Sequence, residues 1–414
     1  MRRLAVALLF AGAAFVATSA TVASGAVRPS DRVAGVPLAE RSAWSAAAPD
    51  LDMPAGVLVT ADGRELWSRA ADAPRAMAST TKIMTAVVVL ESVADLEERV
   101  RVTAAADAVG ESEAGLLPGE SYTVRSLLEA MLVHSGNDAA TALAEHVAGS
   151  QAAFVEKMNE KARELDLRET QFTNPHGLDE PGHHTSARDL ATLARYALQI
   201  PEFRRIVGMP SMALVGERGE RRFENSNKLI GRYPGATGVK TGWTNKAGYC
   251  LVASAERDGV SLVCVVLGTR SESERFAEAR ALLDWGFEHY RRRQVASAGT
   301  TVAALPVRDY LDVAVPAVVA ETTSTAVFDL EGPLETTVTV PAAVDAPVRR
   351  GERVGTLGIL QGDTLVAQVP VVAAGDVEAP AWYERLSVWV ARAWRRLFGG
   401  PQQAARQVIA PAVP

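Results

Sequence analysis

Cysteine is almost missing from this chain: there are two, Cys250 and Cys264, in 414 residues. A disulfide framework therefore cannot be what organises the fold. Basic charge is not in excess either. A formal net charge of −6 provides no positive field for a phosphate backbone, so nucleic acid is not an expected partner. His-Glu-x-x-His is absent. His176, His183 and His184 lie close together in a Pro/Gly-rich stretch, but no carboxylate spacing accompanies them, and neither a metal site nor a cofactor is expected. The N-terminal apolar run from Leu4 to Val16 falls short of the ~20 residues that a membrane-spanning helix needs.

That run does fit an export signal. Arg2 and Arg3 precede it and small residues follow through Ser24, Gly25 and Ala26, so residues 1–26 read as a signal peptide cleaved near Val27, with Ala20 a second cleavage candidate. Residues 27–50 lack periodicity and read as a lead-in. Next come two strand-like runs, 55–60 and 65–68, around Asp62-Gly63, a hairpin signal. Helical stripes then take over through Val124, Leu127, Leu128, Met131 and Leu132, through Phe154, Met158, Ala162 and Leu165, and through Leu190, Leu193, Ala194, Ala197 and Leu198. Ser150 is placed to cap the second, and Thr185 or Ser186 the third.

Strand character returns at 236–243, 249–255 and 261–267, followed by a helix carrying Phe276, Ala279, Leu282, Leu283, Phe287 and Tyr290. A two-residue turn at Asp258-Gly259 pairs Arg257 with Val260, Cys250 with Leu267 and Cys264 with Ala253; the two sulfurs then lie on opposite faces of one sheet and are buried thiols, not a disulfide. The order of elements predicts an α+β domain over 51–293, an antiparallel sheet covered by helices with a helical subdomain. Residues 294–299 read as a linker, 300–375 as a small all-β domain, 380–399 as an amphipathic helix and 400–414 as a tail. The helix sets Trp382, Leu386, Trp389, Val390, Ala393 and Leu397 opposite Arg385, Arg392, Arg395 and Arg396, the pattern of an interfacial anchor whose arginines suit anionic lipid.

Three short motifs stand in order: Ser79-x-x-Lys82 entering an apolar helix, Ser135-Gly136-Asn137 between two helices, and Lys240-Thr241-Gly242 on a strand. Residues i and i+3 share a helix face, so the Lys82 amine reaches the Ser79 hydroxyl, and a lysine held neutral by burial can take its proton. Taken singly, each motif is as well explained by a loop, a cap or a solvated charge. Together, in this order, they are the set found in penicillin-binding proteins and class A β-lactamases.

With these strings, and with 134–139, 174–178, 185–189 and 238–249 around them, the chain resembles the D-alanyl-D-alanine carboxypeptidases, low-molecular-mass penicillin-binding proteins with a β-rich C-terminal domain and an amphipathic anchor. The resemblance implies a β-lactamase/transpeptidase-like catalytic domain. It also implies a serine D,D-carboxypeptidase that removes the terminal D-alanine from peptidoglycan stem pentapeptides through a Ser79 acyl-enzyme and is blocked by β-lactams. Ser79, Lys82 and Ser135 are the implied catalytic residues: nucleophile, base and proton relay. Asn137 would hold the substrate amide, while Lys240, Thr241 and Arg275 would bind its carboxylate. Gly242 would let substrate lie against the strand, and the Trp243 N–H would join that of Ser79 at the oxyanion. The enzyme would sit at the outer face of the cytoplasmic membrane, in the periplasm or cell-wall space, held peripherally by its C-terminal helix. A β-lactamase fits less well, because no glutamate between Asn137 and Lys240 has an asparagine four residues on. A D,D-endopeptidase and, outside the enzymes, a cell-wall binding protein with a decayed site are the other readings; the intact triplet of motifs argues against decay.

Overall fold

The computed structural model describes residues 27–41 and 48–413. The signal peptide expected over 1–26 lies outside them.

The central sheet is antiparallel and seven-stranded, in the spatial order Val36–Pro37, Arg32–Val33, Glu65–Arg69, Ala55–Thr60, Val260–Thr269, Gly248–Arg257 and Ala236–Thr244. Both faces are covered, which is why its inner strands read as nearly continuous apolar runs. Alternate residues go to opposite cores. Val57, Val59, Val263, Val265, Cys250 and Val252 pack under the helices Lys82–Ser92 and Ala187–Leu198; Leu58, Leu262, Cys264, Val266, Leu251 and Ala253 pack under Glu272–His289. The cysteines are free, buried and on opposite faces.

The turn between the last two long strands follows its dipeptide. Asp258 and Gly259 both have positive φ, 50° and 72°, as a two-residue primed turn requires, and Arg257 pairs with Val260 and Cys264 with Ala253. One expected pair fails. The register shifts between Tyr249 and Leu251, so Cys250 sits at a bulge and does not face Leu267. The lead-in is also more than a lead-in. Its Asp31 makes a bidentate ion pair with Arg69, at 2.7 and 2.6 Å, with both side chains buried, and its two short strands extend the sheet edge.

The helical block caps as its sequence indicates: Ser150 accepts from Ala153 N and Ser186 from Asp189 N. Before Ser135 the chain widens into a π-helical turn, Ala130–His134, and Ser135 itself has φ 80°. The His134 ring packs on Phe223 and its Nε2 lies 3.1 Å from the Glu113 carbonyl. Between the third stripe and the sheet lie two elements without a clear periodic signal, the helix Pro201–Val207 and the hairpin Ser211–Gly216 with Gly219–Glu224.

Tyr290, expected at the end of a helix, instead opens a strand, Tyr290–Ala296, which takes in the first three residues of the expected linker and pairs with Thr323–Phe328. A six-stranded sheet follows, and its last edge strand, Gln407–Val408, comes from the tail. The helix Trp382–Phe398 has no buried residue; Trp382, Trp389, Trp394 and Leu397 face outwards. Two of its arginines are turned inwards instead of being free for lipid: Arg392 donates to the Arg308 and Tyr310 carbonyls, and Arg395 pairs with Asp312. No helix among the described residues is long and apolar enough to cross a membrane.

Candidate active site

Two threonines build the turn that carries Ser79. Thr80 Oγ1 donates to the Met77 carbonyl at 2.6 Å and Thr81 Oγ1 to the Ala78 carbonyl at 2.8 Å, closing a 3-10 turn over Ala78–Thr81. The α-helix begins only at Lys82. The pair is therefore not on an α-helix as expected. A three-residue period eclipses i and i+3, which sets the lysine amine directly against the hydroxyl. Lys82 Nζ lies 2.8 Å from Ser79 Oγ.

Lys82 is fully buried and has two further partners, Asn137 Oδ1 at 2.7 Å and the His176 carbonyl at 2.6 Å. Both of those oxygens can only accept. A neutral amine gives its two N–H bonds to them and keeps its lone pair for the proton of Ser79, so the three contacts are all satisfied in the form a general base needs. Burial, and then the Lys240 charge, hold the Lys82 amine well below the usual lysine range, with Asp138 and Glu111 pulling the other way.

The His176 carbonyl is held by its own loop. Asn174 Oδ1 accepts from Gly177 N at 2.7 Å and Asn174 Nδ2 donates to the Leu178 carbonyl, while Thr85 on the lysine helix donates to the Pro175 carbonyl. Gly177 has φ 96°, and a Cβ there would come within 2.1 Å of the Ala78 carbonyl, so only glycine fits against the turn that carries Ser79. The histidines serve this packing. His183 Nδ1 accepts from Thr173 N, which leaves the proton on Nε2, 2.8 Å from Thr81 Oγ1; burial lowers the ring to about 4 and keeps it neutral.

The strand Ala236–Thr244 is the sheet edge on the other side of Ser79. Lys240 is buried, with its Nζ on the Thr241 carbonyl at 3.1 Å, and burial with the nearby Arg275 charge brings it down to about 7. Thr241 Oγ1 donates to Ser226 Oγ at 2.8 Å. Gly242 is required for a reason beyond substrate access: a Cβ there would lie 2.9 Å from Ser79 N and 3.0 Å from Ala78 Cβ. Arg275 Nη1 reaches the Gly242 carbonyl at 3.1 Å and Nη2 reaches Glu272, whereas its buried Nε has no partner among the described residues. A cleft of about 570 Å³ opens between these walls, lined by Ser79, Ser135, Asn137, Thr241, Trp243 and Arg275 among others. A larger cavity of about 680 Å³, beside Arg195 and Arg204, contains none of these groups.

A D-alanyl-D-alanine carboxypeptidase family model matches residues 42–271. The chain belongs to that family. Residues 290–379 match the C-terminal domain of penicillin-binding protein 5. The D-alanyl-D-alanine carboxypeptidase DacF of Bacillus subtilis is 34% identical over 331 residues, 78% of this chain and 85% of the relative. DacC of Escherichia coli is 32% identical over 367 residues, 85% of this chain and 91% of the relative. Among solved structures, the D-alanyl-D-alanine carboxypeptidase DacD from Francisella tularensis superposes with a TM-score of 0.61 at 28% identity, over 80% of this chain and 95% of that one.

Seen as a D-alanyl-D-alanine carboxypeptidase, the chain brings all nine residues singled out in its sequence to one cleft or its walls. What sequence reasoning missed are groups whose part no motif reveals: the His176 carbonyl, the Ser226 hydroxyl behind Thr241, and the loop 110–116 that Asn137 and Asp138 hold at the site. The 174–178 string marked the first of these without revealing its role.

Proposed function

We propose that this serine D-alanyl-D-alanine carboxypeptidase cleaves peptidoglycan stem pentapeptides with Ser79 as nucleophile and Lys82 as base, and that β-lactams acylate the same serine. The observation that carries this assignment is the trio of contacts at Lys82 Nζ: the buried amine lies 2.8 Å from Ser79 Oγ, its other two partners only accept, and in its neutral form its lone pair is therefore left for the Ser79 proton.

As Ser79 Oγ bonds to the carbonyl carbon between the two D-alanines, its proton passes to Lys82. The oxyanion faces the N–H groups of Ser79 and Trp243, a reading supported by the close approach at Gly242, next to Trp243, where a Cβ would lie 2.9 Å from Ser79 N. Ser135, lining the cleft beside Asn137, relays a proton to the leaving amine as the C–N bond breaks. The terminal carboxylate lies toward Lys240, Thr241 and Arg275. Asn137 uses one amide hydrogen on the Gly110 carbonyl, leaving the other for substrate. Water, deprotonated by Lys82, then releases the acyl group and restores the Ser79 hydroxyl.

The enzyme acts outside the cytoplasmic membrane, and the helix Trp382–Phe398 supports peripheral attachment there. Its outward face carries Trp382, Leu386, Trp389, Val390 and Leu397, more than half exposed in every case, while its inward arginines brace it on the protein.

Labelled penicillin tests the assignment: wild type takes up one covalent label and releases D-alanine from a pentapeptide, and Ser79→Ala does neither. Undiminished labelling of Ser79→Ala refutes it.

A further inference from the structure

The cavity of about 680 Å³ shares no lining residue with the catalytic cleft. It lies against the sheet where the helix Ala187–Leu198 ends and the helix Pro201–Val207 begins, and its volume suits one small molecule. Nothing in the proposed reaction uses it.

Its floor is the helix-covered face of the sheet. Ser254 pairs with Val263, and residues two apart along a strand share a face, so Ser261, Val263 and Ser254 stand together there. Leu198 and Pro201 add an apolar wall, and no aromatic ring among the described residues lines the space. Such a surface suits an aliphatic chain better than a ring that needs a stacking partner.

The polar groups around this floor have hydrogens to give. Thr237 Oγ1 and Ser254 Oγ lie 2.7 Å apart and, among the described residues, bond only each other; two hydroxyls joined by one bond leave one O–H unspent, although Ser254 is only 3% exposed. At the other end, Arg195 Nε donates to the Ala61 carbonyl at 2.9 Å. The hairpin tip packs so closely on this guanidinium that a Cβ on Gly63 would lie 2.5 Å from Nη1, which holds the group in place. Neither Nη atom of Arg195 has an acceptor among the described residues. The other charges at the cavity are matched: Arg204 pairs with Glu256 at 3.0 Å, and Arg205 with Glu129 and Glu202. Arg195 is the cation left over.

We propose that this cavity is a second binding site, for a small aliphatic monocarboxylate that lays its chain over Val263, Leu198 and Pro201 and its carboxylate on the two Nη atoms of Arg195. Ala61 bonds to Ser261, one strand away from Ser254. Two strand spacings of about 4.8 Å therefore separate the guanidinium end from the hydroxyl pair, a span of about 10 Å that a chain of about eight carbons covers.

The test titrates octanoate, and octanol as its uncharged counterpart, into the full-length protein by calorimetry at low salt. Octanoate saturates at one per chain with a Kd of about 1 mM or tighter, and about tenfold more tightly than octanol, because only the carboxylate makes charge-assisted hydrogen bonds to Arg195. Arg195→Gln brings the two ligands to about equal affinity, and Leu198→Trp, which fills the cavity, abolishes the binding of both. Penicillin labelling and thermal unfolding report that each variant is folded, and the comparison of the two ligands on wild type needs no variant. Absence of saturable octanoate binding, equal affinity for octanoate and octanol in wild type, or octanoate binding unchanged in a folded Arg195→Gln or Leu198→Trp overturns the proposal.

Discussion

Replacing Gly242 by alanine isolates the contact that joins the two halves of the active site. The added Cβ would sit 2.9 Å from Ser79 N, 3.0 Å from Ala78 Cβ and 3.1 Å from the Met77 carbonyl, where ordinary contact begins at 3.4 Å. None of these atoms belongs to a flexible side-chain end, so the strand or the nucleophile turn must shift by several tenths of an ångström. Overpacking of this kind costs about 1–3 kcal/mol of stability. At about 2–4 °C per kcal/mol, the Tm falls by a few degrees and the protein still folds. The catalytic cost is larger, because the displaced groups include the Ser79 N–H. Loss of one oxyanion donor lowers the rate about 10²- to 10³-fold. Gly242→Ala is therefore expected to slow both penicillin acylation and D-alanine release by about 100-fold with only a modest change in thermal unfolding. Gly375→Ala, whose Cβ meets nothing within 4 Å, serves as the control and leaves both unchanged. If Gly242→Ala acylates at the wild-type rate, the strand and the turn do not hold the oxyanion site between them.

Two further predictions concern charge and surface. Lys240 titrates near 7 in the folded protein against an ordinary 10.5, so between those values the unfolded chain binds more protons and stability rises with pH. Lys240→Met removes the penalty of a buried ammonium: its gain in Tm is largest below pH 7 and shrinks towards pH 10.5, and a gain that does not vary with pH in thermal unfolding refutes the argument. Trp389→Glu places a charge on the outward face of the C-terminal helix and is expected to lower binding to anionic lipid vesicles while D-alanine release from a soluble peptide is retained; binding equal to wild type refutes the anchor. A point substitution is the cleaner probe, because deleting the segment from Ala381 onwards also removes the edge strand Gln407–Val408.

Most of the long elements were legible because their patterns are local. The strands around Asp258-Gly259 and the helices capped by Ser150 and Ser186 follow from a turn dipeptide or an N-cap beside an apolar stripe. The lead-in was not legible, since its two-residue strands are too short for any period and depend on the Asp31–Arg69 pair across 38 residues of chain. The tail strand Gln407–Val408 escaped for the same reason. Cys250 was misplaced opposite Leu267 because a bulge carries no composition signal of its own.

The chemistry divides along the same line. Three motifs in order single out, from sequence alone, the serine, the lysines and the asparagine to which we assign the chemistry, because those residue types at those spacings have few other reasons to occur together. The tertiary structure decided what makes them work. Ser79 and Lys82 meet through a 3-10 turn and not an α-helix, Lys82 donates to a backbone carbonyl from His176, and Gly242 is a glycine because the strand touches the backbone of Ser79. Main-chain groups and close approaches are set by packing between distant segments, and a sequence does not display them.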